Sequence, residues 1–146
     1  MREHAAPVAA ALVAEVAKPA KDALTEVVRS ADLLSYTAEE GVRRLGEGKL
    51  LLPDSVPGAA RSKLCLESKV PLGVVLCVPP FNYPVNLAVS KLGPALIAGN
   101  AVVLKPPTQG AAAALHMVQA FAKAGVPAGV LNAVTGRGAE IGDYMT

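Results

Sequence analysis

Gly73-Val74-Val75-Leu76-Cys77-Val78, closed by Pro79-Pro80-Phe81-Asn82-Tyr83-Pro84, is the stretch on which the fold turns. A short, continuous apolar run rich in valine and ended by prolines has the pattern of a strand covered on both faces. A helix is predicted next over 85–98, with Gly99-Asn100 suited to a left-handed stop. Residues 101–104 form a second short apolar run, ended by Lys105-Pro106-Pro107. Thr108 is placed to cap a helix reaching about 124, with Gly125 beyond its end. A third strand is expected over 130–134, then a turn at Thr135-Gly136-Arg137-Gly138 and a last helix from Ala139. Alternation of this kind implies a parallel sheet with right-handed crossovers.

Upstream the rhythm is helical. Residues 8–16 are alanine-rich, and Pro19 marks a break or a fresh helix start. From Ala20 the apolar positions are Leu24, Val27, Val28, Ala31, Leu34, Ala38, Val42 and Leu45, steps of three and four that trace a helical stripe. Lys21, Asp22, Glu26, Arg29, Asp32 and Glu39 fall mostly off it, and Gly46 and Gly48 close the segment. Between these regions lie 49–52, a turn at 53–58, and an alternating stretch from Lys63 to Val70. There Leu64, Leu66 and Val70 share one face while Lys63, Cys65, Glu67 and Lys69 share the other, the signature of a half-exposed strand.

The whole is 146 residues, enough for one domain. With 52% hydrophobic and only 18% charged residues, a disordered chain is excluded. A net charge of +2 on a mixed surface gives no ground for a nucleic-acid partner or an anionic membrane, and 3% aromatic residues leave little to stack on bases. Residues 70–90 carry no charge, but Pro71, Gly73, Pro79, Pro80, Asn82, Pro84 and Asn86 break any spanning helix, so buried structure rather than a membrane span is expected. The start at Met1 shows no export signal. Cys65 and Cys77 make neither a disulfide framework nor a CxxC pair, which fits a reduced, cytoplasmic setting. His4 and His116 lack partners at ligand spacing, so no metal site is expected.

Parallel sheets bind ligands beyond the carboxyl ends of their strands. Three polar clusters fall there: Phe81-Asn82-Tyr83, Lys105 with Thr108, and the run from Gly136 to Gly142. That glycine run is one residue longer than GxGxxG, and a plain strand-to-helix turn explains it equally well. Both cysteines read as structural, and no Ser, His and Asp arrangement suggests itself. The residues alone lead to an α/β ligand-binding domain.

Two segments carry a resemblance: the one running from Pro71 through Pro79-Pro80-Phe81-Asn82-Tyr83-Pro84 to Ala88, and the one from Gly93 through Gly99-Asn100 to Lys105-Pro106-Pro107-Thr108-Gln109-Gly110. Over about 13–146 the chain resembles the aldehyde dehydrogenase superfamily. Thr25-Glu26-Val27-Val28-Arg29, the Lys105–Gly110 form and the run from Thr135 to Asp143 bring it nearest to the NADP-dependent, non-phosphorylating glyceraldehyde-3-phosphate dehydrogenases. The implied fold is the Rossmann-like parallel sheet of a cofactor domain, incomplete, with N-terminal helices over 1–48, an oligomerisation hairpin over 49–70 and the cofactor-binding part over 71–146.

The resemblance also implies roles. Asn82 stands where the family has the asparagine that stabilises the oxyanion, Tyr83 lines the substrate pocket, and Arg29 matches the arginine that grips the substrate phosphate. Lys105 matches the lysine on the adenosine ribose. Thr108 replaces a glutamate of many NAD-using members, which removes a charge that would repel a 2′-phosphate and favours NADP. Gly138, Gly142 and Asp143 are implied cofactor contacts. The carboxamide of Asn82 and the ammonium of Lys105 are expected to project into a shared cleft.

The family's Cys nucleophile and Glu base lie C-terminal to the matched region, so the chain is expected to be inactive alone. The complete enzyme would oxidise an aldehyde and assemble as a homo-oligomer. Alternatives are a non-catalytic NADP-binding or oligomerisation module, a fragment with no independent role, or a dehydrogenase for a non-phosphorylated aldehyde, for which Arg29 is the discriminator.

Overall fold

Helix comes first. The computed structural model describes residues 1–52 and 64–146; the predicted turn at 53–58 and Lys63 lie outside the described residues. A single 3-10 turn (Arg2–His4) leads into α1 (Ala5–Val16) and then α2 (Ala20–Leu45). Between them Ala17 takes a left-handed φ of 52° and Pro19 caps α2. Proline suits that boundary because it has no N–H to leave unpaired.

The buried line of α2 matches the predicted stripe only in part, at Val27 and Ala31. Ala23, Glu26, Val27, Ser30, Ala31 and Gly41 are buried, while Leu24, Val28 and Val42 are exposed. The reason is close approach to α3 (Asn86–Ile97): a Cβ on Gly41 would stand 2.2 Å from Ile97 Cγ1, and one on Gly93 3.2 Å from Thr37 Cγ2. A small residue is needed at each of these close approaches, and Leu24, Val28 and Val42 are rotated outward.

After α2, β1 (Lys49–Leu51) pairs antiparallel with β2 (Cys65–Glu67), Leu50 opposite Leu66. The half-burial expected of this hairpin is absent: Leu64, Leu66 and Val70 are all exposed, because no described element covers that face.

β3 (Val74–Cys77), β4 (Ala101–Leu104) and β5 (Leu131–Ala133) form a parallel sheet in the order β3-β4-β5. α3 connects the first two strands, α4 (Ala111–Lys123) the second pair, and α5 (Gly138–Met145) follows β5. Cys77, Val102 and Leu104 point into a core shared with Leu12 of α1, Leu92 of α3 and Met117 of α4. The expectation of cover on both faces is not met. Val74 is exposed, Leu76 and Val103 are half-buried, and α5 buries no residue. Among the described residues the second face has no helix over it. None of the described helices is long and apolar enough to cross a membrane.

Two side chains join elements that backbone bonds leave separate. Asn100, just past the left-handed Gly99 (φ 83°), accepts from Leu72 N and Gly73 N at 2.7 and 3.0 Å and donates to Ala95 O at 3.0 Å. It therefore ties the end of α3 to the start of β3. Thr108 does not cap α4; Gly110 does, at φ 94°, where a Cβ would stand 2.8 Å from Pro84 Cγ. The side-chain acceptor comes from α1 instead: Glu15 takes Ala112 N and Ala113 N, each at 2.9 Å.

Candidate functional site

The loop after β3 is held from beneath. Glu26, whose side chain is fully buried, accepts with Oε1 from Val85 N at 3.0 Å and Asn86 N at 3.1 Å. Those are the unpaired amides at the start of α3, where the helix dipole favours an anion. The other carboxylate oxygen is paired with the ammonium of Lys18, itself nearly buried. Lys18 Nζ also donates to the carbonyl of Asn82 at 2.8 Å and lies 3.7 Å from the centroid of the Tyr83 ring. Both carboxylate oxygens of Glu26 are thus engaged, and the Lys18 ammonium is shared by a carboxylate, a carbonyl and a ring face, which offsets the cost of desolvating the pair. Sequence reading missed both residues. The available signal was that Glu26 falls among Ala23, Val27 and Ser30, one helical face of small residues.

Above this pair is a polar hollow of about 150 Å³ lined by Asp22, Thr25, Glu26, Arg29, Tyr83 and Asn86. Arg29 and Tyr83, singled out separately, are therefore together. Asn82 is exposed beside them and is not part of the lining.

Lys105 follows β4, the next strand, and its backbone N–H donates to Cys77 O at 2.8 Å. The two strand tips are thus neighbours. The Lys105 side chain is half-buried, with Nζ donating to Pro106 O at 3.3 Å. A second hollow, about 260 Å³, lies between the loops after β4 and β5, with Thr108, Thr135, Gly136, Arg137 and Glu140 in its wall. Neither Asn82 nor Lys105 lines either hollow, so the cleft expected to be shared by their side chains is not formed. Gly138 opens α5 and Gly142 lies within it; a Cβ on either would meet nothing within 4 Å. Asp143 is exposed on the same helix.

Neither cysteine is equipped as a nucleophile. Burial pushes the Cys77 thiol up to about 11, against a small opposing effect from Lys91, so at neutral pH it is protonated, its Sγ 3.9 Å from Ala88 O. Cys65 is exposed on the hairpin strand β2. Among the described residues no three His, Cys, Asp or Glu side chains converge on a metal position.

The aldehyde dehydrogenase family profile matches residues 1–146. An NADP-dependent glyceraldehyde-3-phosphate dehydrogenase of Triticum aestivum is 71% identical over 146 residues, the full chain and 29% of that protein. The protein so named from Streptococcus equinus is 51% identical over 145 residues, 99% of the chain and 30% of that protein. The crystal structure of NADP-dependent glyceraldehyde-3-phosphate dehydrogenase from Bacillus halodurans C-125 complexed with NADP superposes with a TM-score of 0.91 at 47% identity, covering 99% of this chain and 30% of that one. The chain therefore spans about three-tenths of the length of the curated relatives it matches. Matched along its entire length by the family profile, this chain belongs to the aldehyde dehydrogenase family.

Proposed function

We propose that these residues are the N-terminal part of an NADP-dependent, non-phosphorylating glyceraldehyde-3-phosphate dehydrogenase. The observation that carries the reading is the convergence of Arg29 and Tyr83 on one polar hollow beside Asn82. An exposed guanidinium there can make paired hydrogen bonds to a phosphate. The Asn82 carboxamide is free to donate to an oxyanion, since its hold on the protein runs through its backbone carbonyl. Thiolate attack on the aldehyde in the complete enzyme would develop that oxyanion, and one such donor contributes about 3 kcal/mol to the transition state. This chain, taken alone, is proposed not to turn over: Cys77 is a buried thiol and Cys65 stands on the hairpin.

A phosphorylated dinucleotide would sit along the second hollow, with Thr108 in its wall and Lys105, Gly138 and Gly142 on the adjoining chain outside it. Lys105 supplies positive charge, Thr108 brings a hydroxyl in place of a carboxylate, and Gly138 and Gly142 leave room beside α5 that no described side chain fills. Asp143 completes the proposed contacts. NADP, when bound, supplies the hydride acceptor. The proposal includes a cytoplasmic setting, consistent with two free cysteines, and a homo-oligomer of the complete enzyme, supported by the exposed Leu50, Leu66 and Val70 of the hairpin region.

The test is a graft in which these 146 residues replace the matching segment of the wheat relative. It should form NADPH from glyceraldehyde-3-phosphate, while the 146-residue chain forms none. Arg29→Ala in the graft should raise KM for the phosphorylated aldehyde at least about tenfold, the effect of losing one charged hydrogen-bonding group, and leave KM for an unphosphorylated aldehyde within about twofold. Equal effects on both aldehydes would refute the phosphate role.

A further inference from the structure

We propose that Lys18 is a positioning residue for Asn82, and that it is held in that role by Glu26. The inference rests on the function proposed above and adds to it two residues with no contact to the reacting atoms. Lys18 lies in the link between α1 and α2, 64 residues before the carbonyl it binds. Its ammonium is shared by three groups: the Glu26 carboxylate, the Asn82 carbonyl and the Tyr83 ring face. Glu26 in turn holds Val85 N and Asn86 N. The loop carrying Asn82 and Tyr83 is therefore fixed at one end through a carbonyl and at the other through two amides, and one buried ion pair joins the two anchors. An oxyanion donor works only when it is aimed before charge develops, and this is the arrangement that would aim it. Tyr83 is oriented by the same cation, so the wall of the substrate hollow and the oxyanion donor are set together.

The geometry gives a clean variant. Lys18→Met alone leaves a buried carboxylate without its partner and threatens folding, so the informative change is Lys18→Met with Glu26→Gln. The glutamine keeps an acceptor for Val85 N and Asn86 N, no buried charge is orphaned, and what is lost is the ammonium's hold on the Asn82 carbonyl and on the Tyr83 ring. In the graft with the wheat relative, kcat should fall at least tenfold while Kd for NADP stays within twofold. Placed on an Asn82→Ala background, the same pair of changes should lower kcat by less than a further twofold, because Lys18 acts through Asn82. Losses that multiply would overturn the proposal, as would an unchanged kcat in the paired variant. Backbone 15N order parameters at Asn82 and Tyr83 read the hold without turnover and should fall in the paired variant. Unchanged order parameters would overturn the proposal by themselves. An inactive unsubstituted graft in which the order parameters still fall would remove the proposed function and uphold the hold on the loop.

Discussion

After β3, the chain bearing Asn82 and Tyr83 is gripped by Lys18 and Glu26, two charges taken out of water and fully paired. After β4, the chain bearing Lys105 and Thr108 has no such support: the Lys105 ammonium bonds the carbonyl of the very next residue, and Thr108 is exposed. These are equivalent places on adjacent parallel strands. The difference teaches that one sheet edge can hold one loop through paired charges and leave its neighbour without them, a contrast that suits the proposed aimed donor on one side and the proposed ligand site on the other. Aiming a dipole requires its order to be in place before reaction, whereas admitting a ligand tolerates order acquired on binding.

The largest expected effect breaks the rigid side. Glu26→Ala removes the acceptor for two helix amides and strands the Lys18 ammonium, and should lower the stability of the 146-residue chain by about 3–5 kcal/mol in urea unfolding. Glu15→Ala, which removes a half-buried helix acceptor with no buried cation behind it, should cost only about 1 kcal/mol. Similar losses for the two would erase the contrast. Next, Asn82→Ala in the graft should reduce kcat about 100- to 1000-fold, or roughly 3–4 kcal/mol, with NADP affinity unchanged; a tenfold loss or less would mean the aimed donor is elsewhere.

Cys77 ends the strand that feeds the rigid loop, and it gives a pH test. Its folded value of about 11 lies above the unfolded 9.0, so the fold favours the protonated thiol. Its contribution is intact below pH 9 and lost as pH rises towards 11, by an amount on the order of 3 kcal/mol. Urea unfolding of the chain and of Cys77→Ala should therefore converge as pH rises through that window, and parallel curves would contradict the burial argument. The smallest effect is on the open side. Thr108→Glu in the graft should weaken NADP by about tenfold, roughly 1.4 kcal/mol, and leave NAD nearly unaffected, as fluorescence titration would register.

How much of this was legible in the sequence follows from how far apart the responsible residues lie. The second strand matched residue for residue, 101–104, because Gly99-Asn100 before it and Lys105-Pro106 after it are local punctuation. The long helix likewise runs from Ala20 to Leu45, between Pro19 and Gly46. Its buried face was read in part: Val27 and Ala31 were on the expected stripe, but apolar size also suggested Leu24 and Val28, whereas Ala23 and, at the tight approach to Ile97 of α3, Gly41 are the buried positions. Glu26 and Lys18 stayed hidden because their partners are 59 and 64 residues away, and nothing in a periodic pattern records such a partner. The hydroxyl of Thr108 looked like a helix cap for the same reason: its competitor, Glu15, comes from the other end of the sequence.

That carboxylate has a consequence for anything negatively charged arriving beside Thr108. Two of the first amides of α4 are already taken by a negative group belonging to the protein, so the helix terminus offers an incoming anion less attraction than an uncapped one would. At the proposed binding rim, charge neutralisation would fall to the half-buried Lys105 and to the exposed Arg137 in the wall of the hollow. Affinity of an anion there would weaken as salt shortens the reach of these two cations.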